Sequence, residues 1–336
     1  MNICVLIFCL LSLYAFPLME GKQENLSDMV VATTQIKIKG YPNIWNPSIV
    51  KTKNGFLLTF RYTPVKHELS YVGIIKLDES LKPIGKPQFL NTRNPGDKID
   101  SHSEDARIFS FNGEPYVIYN DSIETNDLTI RHRREMYVAK VLLDDQNIRI
   151  TRPIKLYHPE KHKHIDTQKN WVPFIWDGVL LLGYSLNPHE VLYPNLSTGE
   201  SPVACRSSFF SPWRWGNWRG GTPAVLVDGE YLAFFHSSMM TRSEASNGVL
   251  MYHYYMGAYT FSAEPPFNVL SASIAPIVGR DFYTASDHEK RVIFPGGFVV
   301  VGSSIYVAYG KDDCEVWIAI LDKSKLKKSM LPVEEL

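Results

Sequence analysis

The run Ser103 to Phe109, SEDARIF, places Glu104, Asp105 and Arg107 at the head of an apolar stretch, SFNGEPYVIY. Adjacent carboxylates repel when crowded away from water, so they stay solvated or serve a site that pairs or protonates one of them. A carboxylic acid held beside a bond to oxygen can protonate the leaving group, and a second group can attack the carbon. Other residues fit the same chemistry. Arg61, Lys169, Asn46, Asn170, Thr222 and His236 are donors suited to hydroxyl-rich ligands, and Asp281, Glu289 and Asp313 are further carboxylates.

The stretch SPWRWGNWRGGTP holds Trp213, Trp215 and Trp218 in a polar, Gly-rich connection. Such rings accept the apolar faces of sugars, or else pack beneath the loop as anchors. YHPEKHKHIDTQK brings His158, His162 and His164 near Glu160 and Asp166, but its spacing matches no zinc motif and reads as a solvated loop. No metal and no cofactor are expected, and no Gly-rich nucleotide loop is present.

These residues need a scaffold that brings distant segments to one place, and the chain contains a repeat that does so. Its five copies are NPSIVKTKNGFLLTFRY from Asn46, EDARIFSFNGEPYVIYND from Glu104, NWVPFIWDGVLLLGYS from Asn170, GTPAVLVDGEYLAFFHS from Gly221 and FPGGFVVVGSSIYVAYGKDD from Phe294. Each is an apolar strand, a tight turn that usually carries Asn-Gly or Asp-Gly, and a second apolar strand, which is the pattern of a β-hairpin. Further strand-like runs between the copies, YVGIIKLD, MYVAKVLL and HYYMGAYTF, extend each to about four strands. The expected fold is all-β, a five-bladed β-propeller closed near the C-terminus by WIAILD. The repeat starts then converge on the central axis, carrying Asn46, Glu104, Asp105, Lys169, Asn170 and Thr222, with Arg61, His236, Asp312 and Asp313 at later points of their repeats. Along a regular strand Glu104 and Asp105 would point to opposite faces, with Glu104 securing a neighbouring blade through an arginine.

Lys plus Arg equal Asp plus Glu at 35 each, so no overall field draws the chain to nucleic acid or an anionic membrane. Residues 1–20 open with MNICVLIFCLLSLYAF, of signal-peptide length and too short for an ordinary membrane span. Export is expected, to a secreted, periplasmic or luminal destination, with residues 21–336 forming one domain and no stable membrane insertion. Cys4 and Cys9 lie in the leader, which leaves Cys205 and Cys314 able to form at most one disulfide. Asn25, Asn120 and Asn195 each open a glycosylation sequon.

Taken in order, these motifs resemble glycoside hydrolase family 130, whose five-bladed propellers cleave β-mannosides by phosphorolysis or hydrolysis. SEDARIF resembles the family's Glu-Asp-Pro-Arg, which implies Asp105 as general acid with Arg107 beside it. WNPSIV resembles an Asn-Pro-Ala opening, GGTP at Gly220 to Pro223 a Gly-x-Gly-x-Pro-Pro segment, RVIFPGGFVV a Val-Val-Phe-Pro-x-Gly strand, and YGKDD a Tyr-Gly-Ala-Ala-Asp ending that falls on Asp313. YYMGAYTFSAEPPFNVLSASIAPI is similar to the family's Gly-Ala strand with its Asp-Pro and Val-Leu.

The chain departs from this pattern where phosphate would be held: LGYSLNP stands in place of a His-Arg-Pro segment, and Phe235-His236-Ser237 in place of Tyr-His-Gly. The resemblance therefore implies an inverting glycosidase on β-mannosides or related β-linked oligosaccharides, with hydrolysis placed slightly ahead of phosphorolysis. Inorganic phosphate is an optional co-substrate. Hydrolysis needs a base roughly 6.5–9.5 Å from the acid, for which Asp313, Asp281 and Glu289 are the candidates. The substrate contacts are Asn46, Arg61, Glu104, Arg107, Lys169, Asn170, Thr222, His236, Trp213 and Trp218. A mannosyltransferase and a non-catalytic glycan-binding propeller are the other readings.

Overall fold

The computed structural model describes residues 26–65, 69–93, 99–123, 133–144, 147–161 and 167–335. Residues 1–20, expected above to form an export signal, lie outside them, as do Asn25, His162, His164 and Asp166.

The strands form a five-bladed β-propeller. Blade 1 is the antiparallel meander Ile44–Thr52, Gly55–Tyr62, Tyr71–Leu77 and Pro83–Phe89, counted from the axis outward. Blade 2 follows with Glu104–Phe111, Glu114–Ile123 and Arg133–Leu143, edged by Ile148–Ile150 and Ile154–Leu156. Blade 3 comprises Val172–Trp176, Val179–Leu186, His189–Leu192 and Val203–Ser207. Blade 4 has a split inner strand, Arg219–Gly220 and Val225–Val227, then Glu230–Thr241, Met251–Ser262 and Val269–Ser273. Blade 5 runs Lys290–Val301, Ser304–Lys311 and Glu315–Asp322.

WIAILD is thus the third strand of blade 5, and the ring is completed outside it by the N-terminal strand Val30–Gln35, paired from Val30↔Leu321 to Gln35↔Trp317. This closure joins chain segments nearly three hundred residues apart and gives blade 5 its outermost strand.

Runs such as FLLTF and VLLLG are apolar at successive positions because both faces of every blade are covered. Among the described residues there are five apolar cores, one at each interface between neighbouring blades, and the core between blades 5 and 1 is built like the rest. The hairpin turns follow the reading of their sequence. Asn112-Gly113, Asp177-Gly178 and Asp228-Gly229 all have positive φ at both central residues, the conformation that matches strand twist in a two-residue hairpin.

Cys205 in blade 3 and Cys314 beyond blade 5's second strand are both free thiols, so the disulfide is not formed. Asn120 is fully buried in blade 2, which rules out a glycan there, whereas Asn195 is exposed. Among the described residues no helix is long and apolar enough to cross a membrane.

Candidate active site

Asp105 does not continue the alternation of its strand. It sits in the left-handed region at φ 53°, and the pairing of Glu104–Phe111 with its neighbour shifts register between Glu104 and Arg107. This bulge gives Glu104 and Asp105 a common environment, so the expectation of opposite faces fails; Asp105's charge is one of those acting on Glu104. Asn46 and Asn170 hold the same left-handed conformation, at φ 47° and 64°, at the head of the inner strands of blades 1 and 3. Asn and Asp tolerate that region better than other side chains.

Asn46 donates from Nδ2 to Asp105 Oδ1 at 2.8 Å, tying blade 1 to blade 2 at this carboxyl group. Glu104 is nearly buried and pairs with Arg61 of blade 1 at 2.7 Å and with Arg134 of blade 2. The expected arginine partner for Glu104 is therefore present twice. Burial raises the Glu104 pKa, and the neighbouring Arg61 works against that rise. Arg134, which no motif singled out, also donates to the His102 carbonyl at 3.0 Å and Asn120 Oδ1 at 2.9 Å.

Arg107 is 1% exposed and reaches across the axis. It donates to the carbonyls of Gly221 and Gly220 in blade 4 and to Asn170 Oδ1 in blade 3. Burial lowers its pKa to about 10, and the Asp105 charge works to raise it. Its place is in the floor beneath the site, fully engaged with protein acceptors. Thr222 is likewise buried. Its hydroxyl accepts from Phe234 N at 3.0 Å, replacing a ladder bond where the inner strand of blade 4 is interrupted.

The polar mouth above this floor is rich in cations. Lys169 is exposed and has no ion-pair partner among the described residues. Arg61, Arg134 and Lys169 all act on Glu104. His236 is 2% exposed, and its pKa is pushed well down by burial first and then by Arg219, Arg107 and Lys169. Lys290 and Arg61 act on each other from blades 5 and 1. With the floor residue Arg107, the site gathers Arg61, Arg134, Lys169, Arg219 and Lys290 against Glu104, Asp105, Asp121 and Asp313.

Asp313 is at this mouth, ion-paired to Lys290. Asp281 accepts from the Thr33 hydroxyl on the outermost strand of blade 5, and Glu289 is exposed on the segment leading into Lys290–Val301. The indoles pack as anchors. Trp213 is 7% exposed and donates to Ser237 Oγ at 2.9 Å, while Trp218 stacks on Phe235 with centroids 4.2 Å apart and planes 7° from parallel. Large aromatic area is better buried against the core between blades 3 and 4 than held in water.

In the loop before blade 3, His158 and Lys161 close on Glu190, which Arg206 also contacts, holding that carboxyl down at about 2. Among the described residues no cluster of three or more metal-ligating side chains occurs.

Residues 24–330 match the family model Glyco_hydro_130, described as β-1,4-mannooligosaccharide phosphorylase. No curated protein matches. Solved structures with the same fold include a β-1,2-mannobiose phosphorylase from Listeria innocua, at 16% identity and TM-score 0.56, covering 88% of this chain and 92% of that one. MPT-4, a mannose phosphorylase from Leishmania mexicana in complex with a phosphate ion, is 13% identical with TM-score 0.56, over 91% and 92%. A third structure, from work describing GH130 hydrolases that target β-1,2 mannosidic linkages in Candida mannan, is 12% identical with TM-score 0.60, over 89% and 92%.

Proposed function

Because the chain belongs to glycoside hydrolase family 130, whose members are glycoside phosphorylases and hydrolases, we propose that it cleaves β-mannosides by inverting phosphorolysis with Asp105 as the acid. The observation that carries this reading is the charge of the mouth. Cations outnumber carboxylates there, and Glu104 and Asp313 are already paired. An anionic nucleophile suits that excess, whereas an activated water needs a free carboxylate opposite Asp105.

In this reaction a phosphate oxygen attacks the anomeric carbon as the bond to the glycosidic oxygen breaks. The leaving oxygen takes a proton from Asp105, directly or through a substrate hydroxyl. The products are mannose 1-phosphate of inverted configuration and the shortened sugar. Asn46 holds one oxygen of Asp105, leaving the other for the proton. Lys169, Arg61 and Asn170 bind sugar hydroxyls, and no cofactor beyond phosphate takes part. Residues 1–20 direct export of the chain.

Hydrolysis is the second reading, favoured by Asp313, whose side chain is 30% exposed at the mouth and could serve as base on release from Lys290. Short β-mannosides incubated with and without inorganic phosphate separate the two. Phosphate-dependent mannose 1-phosphate is the expected product. Free mannose at an equal rate without phosphate would reject phosphorolysis.

A further inference from the structure

The face of the propeller opposite the mouth carries a pocket that the reaction at the mouth does not use. Its floor lies over the core between blades 2 and 3, where Phe111 and Leu180 meet beside Leu196. Tyr193, Asn195 and Glu200 stand exposed at its edge. Phe111 ends the inner strand that Glu104 begins, so at about 3.3 Å per residue the pocket is about 20 Å from the mouth. It encloses about 640 Å³, a volume within the range of small-molecule sites.

Its wall is fixed before any ligand arrives. Tyr193 N donates to the Pro202 carbonyl at 2.9 Å. The turn that follows closes on itself, with Asn195 N donating to the Glu200 carbonyl at 2.8 Å and Gly199 N to the Asn195 carbonyl at 2.7 Å. Asn195 Oδ1 accepts from Ser197 N at 2.8 Å and Thr198 N at 3.2 Å. The turn also lies against the edge of blade 2: Gly199 has φ 83°, and a Cβ there would run into the Lys155 carbonyl.

This frame leaves three groups for a ligand. The Tyr193 ring is 54% exposed, although a side chain of that size ordinarily finds cover. Among the described residues Asn195 Nδ2 has no acceptor and Glu200 has no ion-pair partner. An aromatic face beside one amide donor and one carboxylate acceptor suits a sugar ring, which has an apolar face and adjacent hydroxyls. No cation among the described residues lines the pocket, so an anion finds nothing there to offset Glu200. An apolar chain would cover the amide and the carboxylate without giving them partners.

We propose that this pocket is a second glycan site, which takes a short stretch of a neutral polysaccharide. The site is independent of whether phosphate or water attacks at the mouth. The two openings face opposite ways, so one short oligosaccharide cannot fill both, whereas a polymer or a mesh of chains can. Holding the protein on such material raises the concentration of chains that the mouth meets.

Native gel electrophoresis with and without soluble galactomannan, whose backbone is β-1,4-mannan, tests the assignment on protein made in a bacterial host that adds no glycan at Asn195. The wild type should be retarded by the polysaccharide. Tyr193→Ala removes a ring from an exposed position and should fold normally. Its apparent Kd for galactomannan should rise about tenfold, while kcat and KM on a β-mannobiose stay within about twofold. Asn195→Asp keeps the acceptor for Ser197 and Thr198 and removes the donor, so it should weaken retardation in the same direction. Wild-type retardation in both variants would place all polysaccharide binding at the mouth and overturn the second site, as would a wild type that is not retarded at all. A Tyr193→Ala protein whose KM for the disaccharide rises as much as its Kd for the polymer would also overturn it. Retention of the wild type on octyl-agarose, lost in Tyr193→Ala and without retardation by galactomannan, would assign the pocket to an apolar partner instead.

Discussion

The guanidinium of Arg107, on the inner strand of blade 2, donates to the carbonyl of Gly221 in blade 4, across the propeller axis. With bonds to Gly220 and Asn170 it ties three blades together directly beneath Asp105. At Gly221 a Cβ would stand 3.0 Å from the Pro295 carbonyl of blade 5, so the absence of a side chain lets the backbone approach.

Arg107→Lys should therefore destabilise the fold, since one ammonium cannot reach three separate acceptors and the buried carbonyls lose their donors. A loss of about 3 kcal/mol is expected, read as a lower urea midpoint. An unchanged midpoint would show that the axis does not depend on this spoke.

Asp105→Asn should keep the fold, because the amide oxygen can still accept from Asn46 at the position now bonded at 2.8 Å. Activity on unactivated β-mannosides should fall by at least about a hundredfold. Full activity in a folded variant would remove Asp105 from the reaction.

Gly310→Ala probes the support behind the acid. A Cβ there would meet Asn46 Oδ1 and come within 2.7 Å of the Asn46 backbone nitrogen. The displaced Asn46 would release Asp105, so kcat should drop together with about 1–3 kcal/mol of stability from overpacking. Wild-type kcat in this variant would mean that the Asn46–Asp105 bond does not position the acid.

The stability of the protein should fall on mild acidification. His189 is fully buried between blades 3 and 4, donates from Nδ1 to the Phe267 carbonyl at 2.8 Å, and has its pKa pushed down by burial to about 4 from an ordinary 6.5. A lowered folded-state pKa means that its contribution is intact above pH 6.5 and is lost as pH falls toward 4. The loss over that window is about 3 kcal/mol from this group, and His236, shifted the same way, adds to it. His189→Gln should flatten the stability profile between those limits. A profile as steep as the wild type's would assign the effect elsewhere.

The repeat of apolar strand, tight turn and apolar strand determined the five blades, because strand pairing and turn conformation depend on residues adjacent in sequence. The collinear motifs in turn marked Asp105. Local alternation could not place Glu104 beside Asp105, since that depends on a bulge stabilised by contacts from Asn46, Arg61 and Arg134. Nor could it separate Trp213 from a sugar platform or Arg107 from a ligand contact, because burial is decided by what the next blade covers. Arg134 and Lys290 lie in none of the quoted motifs, and only ring closure brings them to one mouth with Arg61. The sequence by itself determined the repeating unit and singled out Asp105 as the candidate acid. The tertiary structure decided which charges meet, because Coulomb and hydrogen-bond partners in a propeller come from segments up to several hundred residues apart.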